Sequence, residues 1–275
     1  MLTVLSVRKK QHSGEFLRRF GVNSLKTKVK SAQGIDIRFL EYICRNGRIN
    51  GARISKKAKE GRSSLVYSGQ DNISDNSSVS VFEPLELRRR LCSNMALEVL
   101  EIMKSVPDNL RVGLYDPKGE YSDICMCILE HTRDFTVVSR NKALYTEQAK
   151  VLLEEKGIVL RACSKVSALS GCGLIIAPEV ISEPFVPMSK TVVLTVSRPL
   201  VALGCRVYYG YSFSLPREFE ALRPEDVRAE DFGGALYSLC GVYSIGSIVP
   251  FVCTGQGDTQ TTVSLRKYLS ECFGT

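Results

Sequence analysis

The 275-residue chain has no tryptophan and only two histidines, His12 and His131. Imidazole chemistry is therefore scarce. A Ser-His-Asp or Cys-His arrangement would have to use one of these two residues. His131 closes a helix-like stretch, where an imidazolium simply answers the helix dipole. The patterns H-E-x-x-H, G-x-S-x-G and G-x-x-x-x-G-K-[ST] are all absent. None of the ten cysteines forms a C-x-x-C pair. Cys125-Met-Cys127 lies in a helical stretch, which points its two sulfurs about 200° apart and away from any common metal. Cysteines in apolar runs act as small hydrophobes. Met1 to Val7 runs into Arg8-Lys9-Lys10 without a charged leader region or cleavage site, so free thiols in a reducing cytoplasm are expected. Phe232 to Gly257 carries no charge and is long enough to cross a bilayer. It is broken by Gly233, Gly234, Gly241, Gly246 and Pro250, and the expectation is a buried helix followed by a strand over Ser247 to Cys253. No internal repeat is present.

Charge is unevenly distributed. Met1 to Arg62 holds sixteen Lys and Arg against four acids, a net of +12, while the remainder nets −4. That asymmetry points to an anionic partner for the N-terminal part: nucleic acid, an anionic small molecule or an acidic protein surface. Arg45, Arg48, Arg53, Lys56, Lys57, Lys59 and Arg62 crowd a stretch with little apolar periodicity. It lacks the interleaved aromatics that stack on single strands and matches no zinc-finger, helix-turn-helix or RNA-recognition pattern.

Leu110 to Phe213 sets the architecture. Six short apolar runs read as strands: Arg111–Tyr115, Phe135–Ser139, Ile158–Ala162, Gly173–Ala177, Thr191–Val196 and Arg206–Phe213. Most are unbroken, as strands covered on both faces require. Tyr121–His131 and Ala143–Lys156 read as helices between the first three, and Gly157 as the C-cap of the second. Strand, helix, strand repeated in this way demands right-handed crossovers and a mostly parallel sheet.

This layout resembles the Rossmann-type nucleotide-binding superfamily. The family's first strand runs into G-x-G-x-x-G, whose glycines admit a pyrophosphate to a helix N-terminus. Here the turn reads Gly113-Leu-Tyr-Asp116-Pro117-Lys118-Gly119-Glu120-Tyr121. One register places Asp116, Lys118 and Tyr121 at the glycine positions; the other places Pro117, Gly119 and Ser122 there. A side chain at the middle position crowds a pyrophosphate, and Asp116 and Glu120 repel it. Arg140, after the second strand, stands where NADP-binding members place an arginine for the 2′-phosphate. The resemblance implies a ligand beyond the strands' C-terminal ends. The candidate cofactor-binding residues there are Asp116, Lys118, Gly119, Ser139, Arg140 and Pro178, with Glu179, Ser197, Arg198 and the Gly255-Gln256-Gly257 loop nearby. Lys118 and Arg140 are the cations for an anionic ligand.

The other elements follow in chain order. Met1–Val7 reads as a strand, Gly14–Phe20 as a short helix, Leu25–Lys30 as an edge strand whose lysines discourage pairing, and Asp36–Cys44 as a helix. Ser68–Ser78 is a polar loop or hairpin tip between Ser64–Tyr67 and Val79–Phe82. Glu83 or Pro84 opens a helix to about Ser105, with Leu87, Leu91, Met95, Val99 and Met103 on one stripe. Part of Ser214–Asp231 is helical, Thr254–Thr262 is a loop, and Val263–Cys272 is a last helix.

The sequence thus specifies an α/β protein: a Rossmann-like, mostly parallel sheet flanked by helices over 109–275, preceded by a smaller basic α+β region over 1–108. The expected role is binding or scaffolding without conventional hydride transfer. An NADP-dependent oxidoreductase with an atypical phosphate loop and a nucleic-acid-associated protein are the alternatives, and catalysis is left open.

Overall fold

The computed structural model describes residues 1–9, 23–44, 49–59, 64–69, 80–245 and 248–274. The expected helix at Gly14–Phe20 and most of the 68–78 loop lie outside them. The chain forms two compact units: Met1–Leu87 with Leu215–Ser247, and Arg88–Ser214 with Ile248–Thr275. The division therefore differs from a single cut after residue 108. It falls inside one helix, and the chain returns to the first unit after residue 214.

The first unit is built on a four-stranded sheet. Its strands are β1 (Leu2–Lys9), β2 (Ser24–Ala32), β3 (Ile35–Cys44) and β4 (Leu65–Val66), in the order β2-β3-β1-β4. β1 is parallel to β3 and β4, and β2 is antiparallel to β3. Asp36–Cys44 is thus a strand, not a helix. Ile37 and Phe39 are buried on one face and Leu40, Tyr42 and Cys44 on the other, so the strand lacks the alternation that would have marked it. Helix α1 (Gly51–Lys59) corrects, over 51–59, the reading of a stretch with little apolar periodicity; Arg45, Arg48 and Arg62 lie outside the described residues. Ile54 and Ala58, four residues apart, lie fully buried in one cluster with Leu5, Leu40 and Tyr42, while Arg53, Lys56 and Lys57 face outward. Val81 bridges Leu65 in the parallel sense, so these segments do not form a hairpin. β4 reaches only Thr3 and Val4. Farther along β1, the Val7 N–H donates to Asp226 Oδ2 at 2.7 Å and the Ser6 hydroxyl donates to Asp226 Oδ1 at 2.8 Å. The unit is completed by α5 (Arg217–Glu220) and α6 (Ala229–Cys240). α6 is a twelve-residue helix ending at Gly241 in the left-handed conformation. No helix among the described residues is long and apolar enough to cross a membrane.

The second unit starts within α2 (Leu85–Met103), whose Leu87, Leu91, Met95 and Val99 are fully buried as the stripe requires. The elements that follow are β5 (Val112–Tyr115), α3 (Ser122–Leu129), β6 (Asp134–Val138), α4 (Lys142–Lys156), β7 (Val159–Cys163), a 3₁₀ turn (Val166–Gly171), β8 (Leu174–Ala177), β9 (Val192–Thr195), β10 (Arg206–Ser212), β11 (Val252–Gly255), β12 (Thr259–Thr261) and α7 (Thr262–Phe273). The six expected strands, the helices α3, α4 and α7, and the Gly157 cap at φ +64° are all present. The sheet order is β12-β11-β10-β9-β8-β5-β6-β7. β5 to β10 are parallel, and their order is the 3-2-1-4-5-6 arrangement of a doubly wound sheet. The fold is Rossmann-like. Thr254–Thr262 is not a loop, because most of it forms the antiparallel β11–β12 hairpin that extends the sheet.

One face of this sheet is covered without α-helices. Tyr115, Val138, Ile175, Ala177 and Val193 pack there against Val166 and Leu169 of the 3₁₀ turn and Ile181 and Phe185 of the β8–β9 connection. Val201 and Leu203 of the β9–β10 connection pack on the same cluster. Gly113 makes this close cover feasible. A Cβ there would stand 2.6 Å from Leu169 Cδ2 and 2.9 Å from Cys172 Sγ. Gly113→Ala should therefore destabilise the protein by about 1–3 kcal/mol, the usual penalty for overpacking a filled core. A lowered urea midpoint at unchanged slope is the expected measurement.

All ten cysteines are unpaired thiols. Burial pushes Cys92, Cys125 and Cys253 from the ordinary 9.0 to about 12, and Cys172 and Cys205 to about 11. Above pH 9 these thiols ionise in the unfolded chain while staying protonated in the fold, so the unfolded state gains. Under reducing conditions, stability should hold up to about pH 9 and fall progressively as pH approaches 12. Urea midpoints measured at pH 8 and pH 10.5 would show the difference.

Candidate functional site

β5 ends at Tyr115 and the chain turns into α3 through Asp116-Pro-Lys-Gly-Glu-Tyr121. This is the position at which a Rossmann-like sheet presents backbone N–H groups to an anion. Asp116 is fully buried. Its Oδ1 accepts from the Gly119 N–H at 2.8 Å and the Glu120 N–H at 2.9 Å, and its Oδ2 accepts from the Tyr121 N–H at 3.1 Å. The Tyr145 hydroxyl, fully buried on α4, donates to Oδ2 as well. A buried carboxylate is tolerable only when its oxygens are satisfied, and four donors do so here. Gly119 sits at φ +79°, a conformation that favours glycine, and a Cβ there would press on Asn141 Cβ at 3.1 Å. The aspartate read as repelling a pyrophosphate thus occupies the N–H cradle itself.

The remaining predicted residues line the same edge of the sheet, at the C-terminal ends of β5, β6 and β8. Lys118 Nζ lies 3.5 Å from Glu179 Oε1 and 3.9 Å from Glu120 Oε2. Arg140, with 80% of its side chain exposed, lies 3.6 Å from Glu183 Oε1. Ser139 is buried, and its Oγ accepts from the Asn141 N–H at 3.1 Å. Pro178 is buried and leads directly into Glu179. All six predicted residues are therefore brought together. Arg198 and the Gly255-Gln256-Gly257 loop are not part of this crevice. Tyr208 of β10 pairs with Gly255, which puts the hairpin turn beside the start of β10, where the parallel strands begin. Arg198 reaches that turn: with the Gln256 carboxamide turned so that its oxygen faces the guanidinium, the orientation that satisfies both ends of the amide, Nε and Nη2 of Arg198 donate to it at 3.1 and 3.3 Å.

Sequence reasoning missed the partners. Glu179 keeps only 17% of its side chain exposed. It accepts from Arg89 of α2 and from the Tyr121 hydroxyl at 3.0 Å, in addition to pairing with Lys118. Arg89 is ninety residues away in sequence, and nothing in its helical stripe distinguishes it. Tyr145 reads simply as an aromatic residue of an amphipathic helix. Groups whose titration is displaced move away from neutrality. Burial raises Tyr115, against the hydrogen bond with Ser182. Burial, and then Glu179, raise Tyr121; burial, and then Asp116, raise Tyr145. Cys125 is pushed to about 12 by burial and by Asp116. Each is held protonated at neutral pH.

No protein-family model matches the chain, and no curated protein does. Among the remotely similar solved structures are two crystal structures. A ligand-free form of 5-ketofructose reductase from Gluconobacter sp. strain CHM43 aligns over 99% of each chain at 14% identity and a TM-score of 0.33. L-tryptophan dehydrogenase from Nostoc punctiforme aligns over 99% of this chain and 80% of its own at 9% identity and a TM-score of 0.30.

The contact between Tyr145 and Asp116 is testable. Tyr145→Phe removes a donor to a buried carboxylate while keeping the ring. Stability should fall by about 1–3 kcal/mol, as for a hydrogen bond to a charged group, and chemical denaturation would measure it.

Proposed function

We infer that the Rossmann-like unit serves as a binding or scaffolding module without conventional hydride transfer. The observation that carries this reading is the Asp116 carboxylate on the N–H groups of Gly119, Glu120 and Tyr121. A dinucleotide pyrophosphate would need the same donors and would meet a buried negative charge. The two cations best placed to attract it are each near a carboxylate, Lys118 near Glu179 and Arg140 near Glu183. Ten unpaired thiols suit a reducing compartment such as the cytoplasm. The positive excess in the sequence of residues 1–62 favours an acidic protein partner.

A second reading, an NADP-dependent oxidoreductase, is favoured by Arg140 alone. That guanidinium is exposed at the end of β6, where a 2′-phosphate would lie, and its ion pair with Glu183 is long.

Thermal melting with NADPH, NADH and NADP separates the two. A ligand at about 100 times its dissociation constant stabilises a fold by about 2.7 kcal/mol. The binding-module reading expects no shift with any dinucleotide for the wild type. It also expects Asp116→Gly, which empties the cradle, to be less stable than the wild type and to regain part of that stability from inorganic phosphate. A wild-type shift with NADPH that Arg140→Ala abolishes would sink this reading and establish the second.

A further inference from the structure

The second unit carries another cavity, remote in character from the crevice and independent of the reading above. The β9–β10 connection crosses one face of the sheet as a strap. It is anchored by the Leu200 N–H donating to Ile181 O at 3.0 Å and by Val201 and Leu203 packing on the core. Between this strap, the start of β10 and the β11–β12 turn is a cavity of about 650 Å³, within the usual range for small-molecule sites.

Its charges are not balanced. Arg206 Nη1 lies 3.2 Å from Asp258 Oδ2, with its guanidinium stacked 4.1 Å over the Tyr268 ring. Asp258 also accepts from the Tyr208 hydroxyl at 2.6 Å and from the Gln260 amide at 3.1 Å. The carboxylate is thereby committed to groups that hold it in place. The tyrosine hydrogen bond in particular holds Asp258 below the usual carboxylate range, so it is ionised at neutral pH. Arg198, the other cation of the lining, has for its partner the neutral carboxamide of Gln256. Among the described residues no carboxylate is paired with it. The cavity therefore keeps one positive charge in excess, on a planar fork whose geometry suits a carboxylate. Facing it is an aliphatic wall of Leu200, Val201, Leu203 and Val207. Leu200 is 77% exposed at the rim, an apolar side chain left in water.

We propose that this cavity binds a small organic monocarboxylate, with its carboxylate on Arg198 and its apolar body along the strap. One net positive charge matches a monoanion, and Asp258 in the lining repels a second negative charge. A phosphate ester with its dianion fits less well for that reason.

Octanoate is the probe, titrated calorimetrically into the full chain, with octanol and inorganic phosphate as comparisons. Octanoate should bind the wild type, and Arg198→Ala should weaken it about ten- to hundred-fold, the effect of losing a charge-assisted hydrogen bond. Leu200→Asp, at the exposed rim, should weaken it as well. Arg217→Ala, an exposed arginine of the first unit, should leave it unchanged. The proposal is overturned if octanoate does not bind, if it binds Arg198→Ala as tightly as the wild type, or if octanol binds as tightly as octanoate. Phosphate binding in place of octanoate would also overturn it. Both substitutions are at exposed positions, and an unchanged circular dichroism spectrum separates lost binding from lost fold.

Discussion

The buried carboxylate of Asp116 holds the first turn of the large sheet together. Three consecutive N–H groups of the β5–α3 turn and the hydroxyl of Tyr145 on α4 converge on it. The loop, the start of α3 and the middle of the sheet are thus tied to one charge. In a fold of this kind the same N–H groups are free donors that a phosphate completes. Here an internal anion completes them, so the turn is ordered without a ligand. The same physical property, orphan N–H groups at a helix start seeking negative charge, either creates a site or closes one, depending on whether the chain supplies the anion.

That closure spreads across the crevice. Glu179, just after β8, gathers Arg89, Tyr121 and Lys118, and Glu183 faces Arg140. Two carboxylates from the segment after β8 thus stand against the cations of the first half of the fold. In the second half of the parallel sheet the β8–β9 and β9–β10 connections contain no helix. The connections after β8 and β9 cross the face as straps, pinned by Ile181, Phe185, Val201 and Leu203. A strap covers less of the sheet than a helix would, and the cavity beside β10 lies where the second strap meets the β11–β12 turn.

The elements legible in the sequence share one feature, a periodicity that local residues enforce. β5 to β10 are apolar runs bounded by polar turns, Gly157 closes α4, and the stripe from Leu87 to Val99 is a helix. Failures occurred where a local pattern was ambiguous. β3 is buried on both faces and reads as a helix. α1 presents only Ile54 and Ala58 among five basic or polar neighbours. The end of β11 and all of β12 are polar and form the outer end of the sheet, where burial is slight, and so Thr254–Thr262 reads as loop, while Val252 and Cys253 of β11 fall in the expected strand over Ser247–Cys253.

Composition and pattern determined that this is an α/β protein with a mostly parallel sheet, a basic N-terminal part and only two histidines. They also put six candidate residues just after the C-terminal ends of β5, β6 and β8. Only the tertiary structure decided what that crevice is. An aspartate in a turn is equally a repulsive charge or an internal ligand, and the difference lies in where three N–H groups and a tyrosine from the next helix point. Likewise Arg198 follows a strand end and reads as part of the crevice, yet it turns to Gln256, fifty-eight positions farther along the chain. Hydrophobic periodicity is written locally because each element buries its own face. Charge partnership is not, because two groups that meet in space share no spacing in sequence.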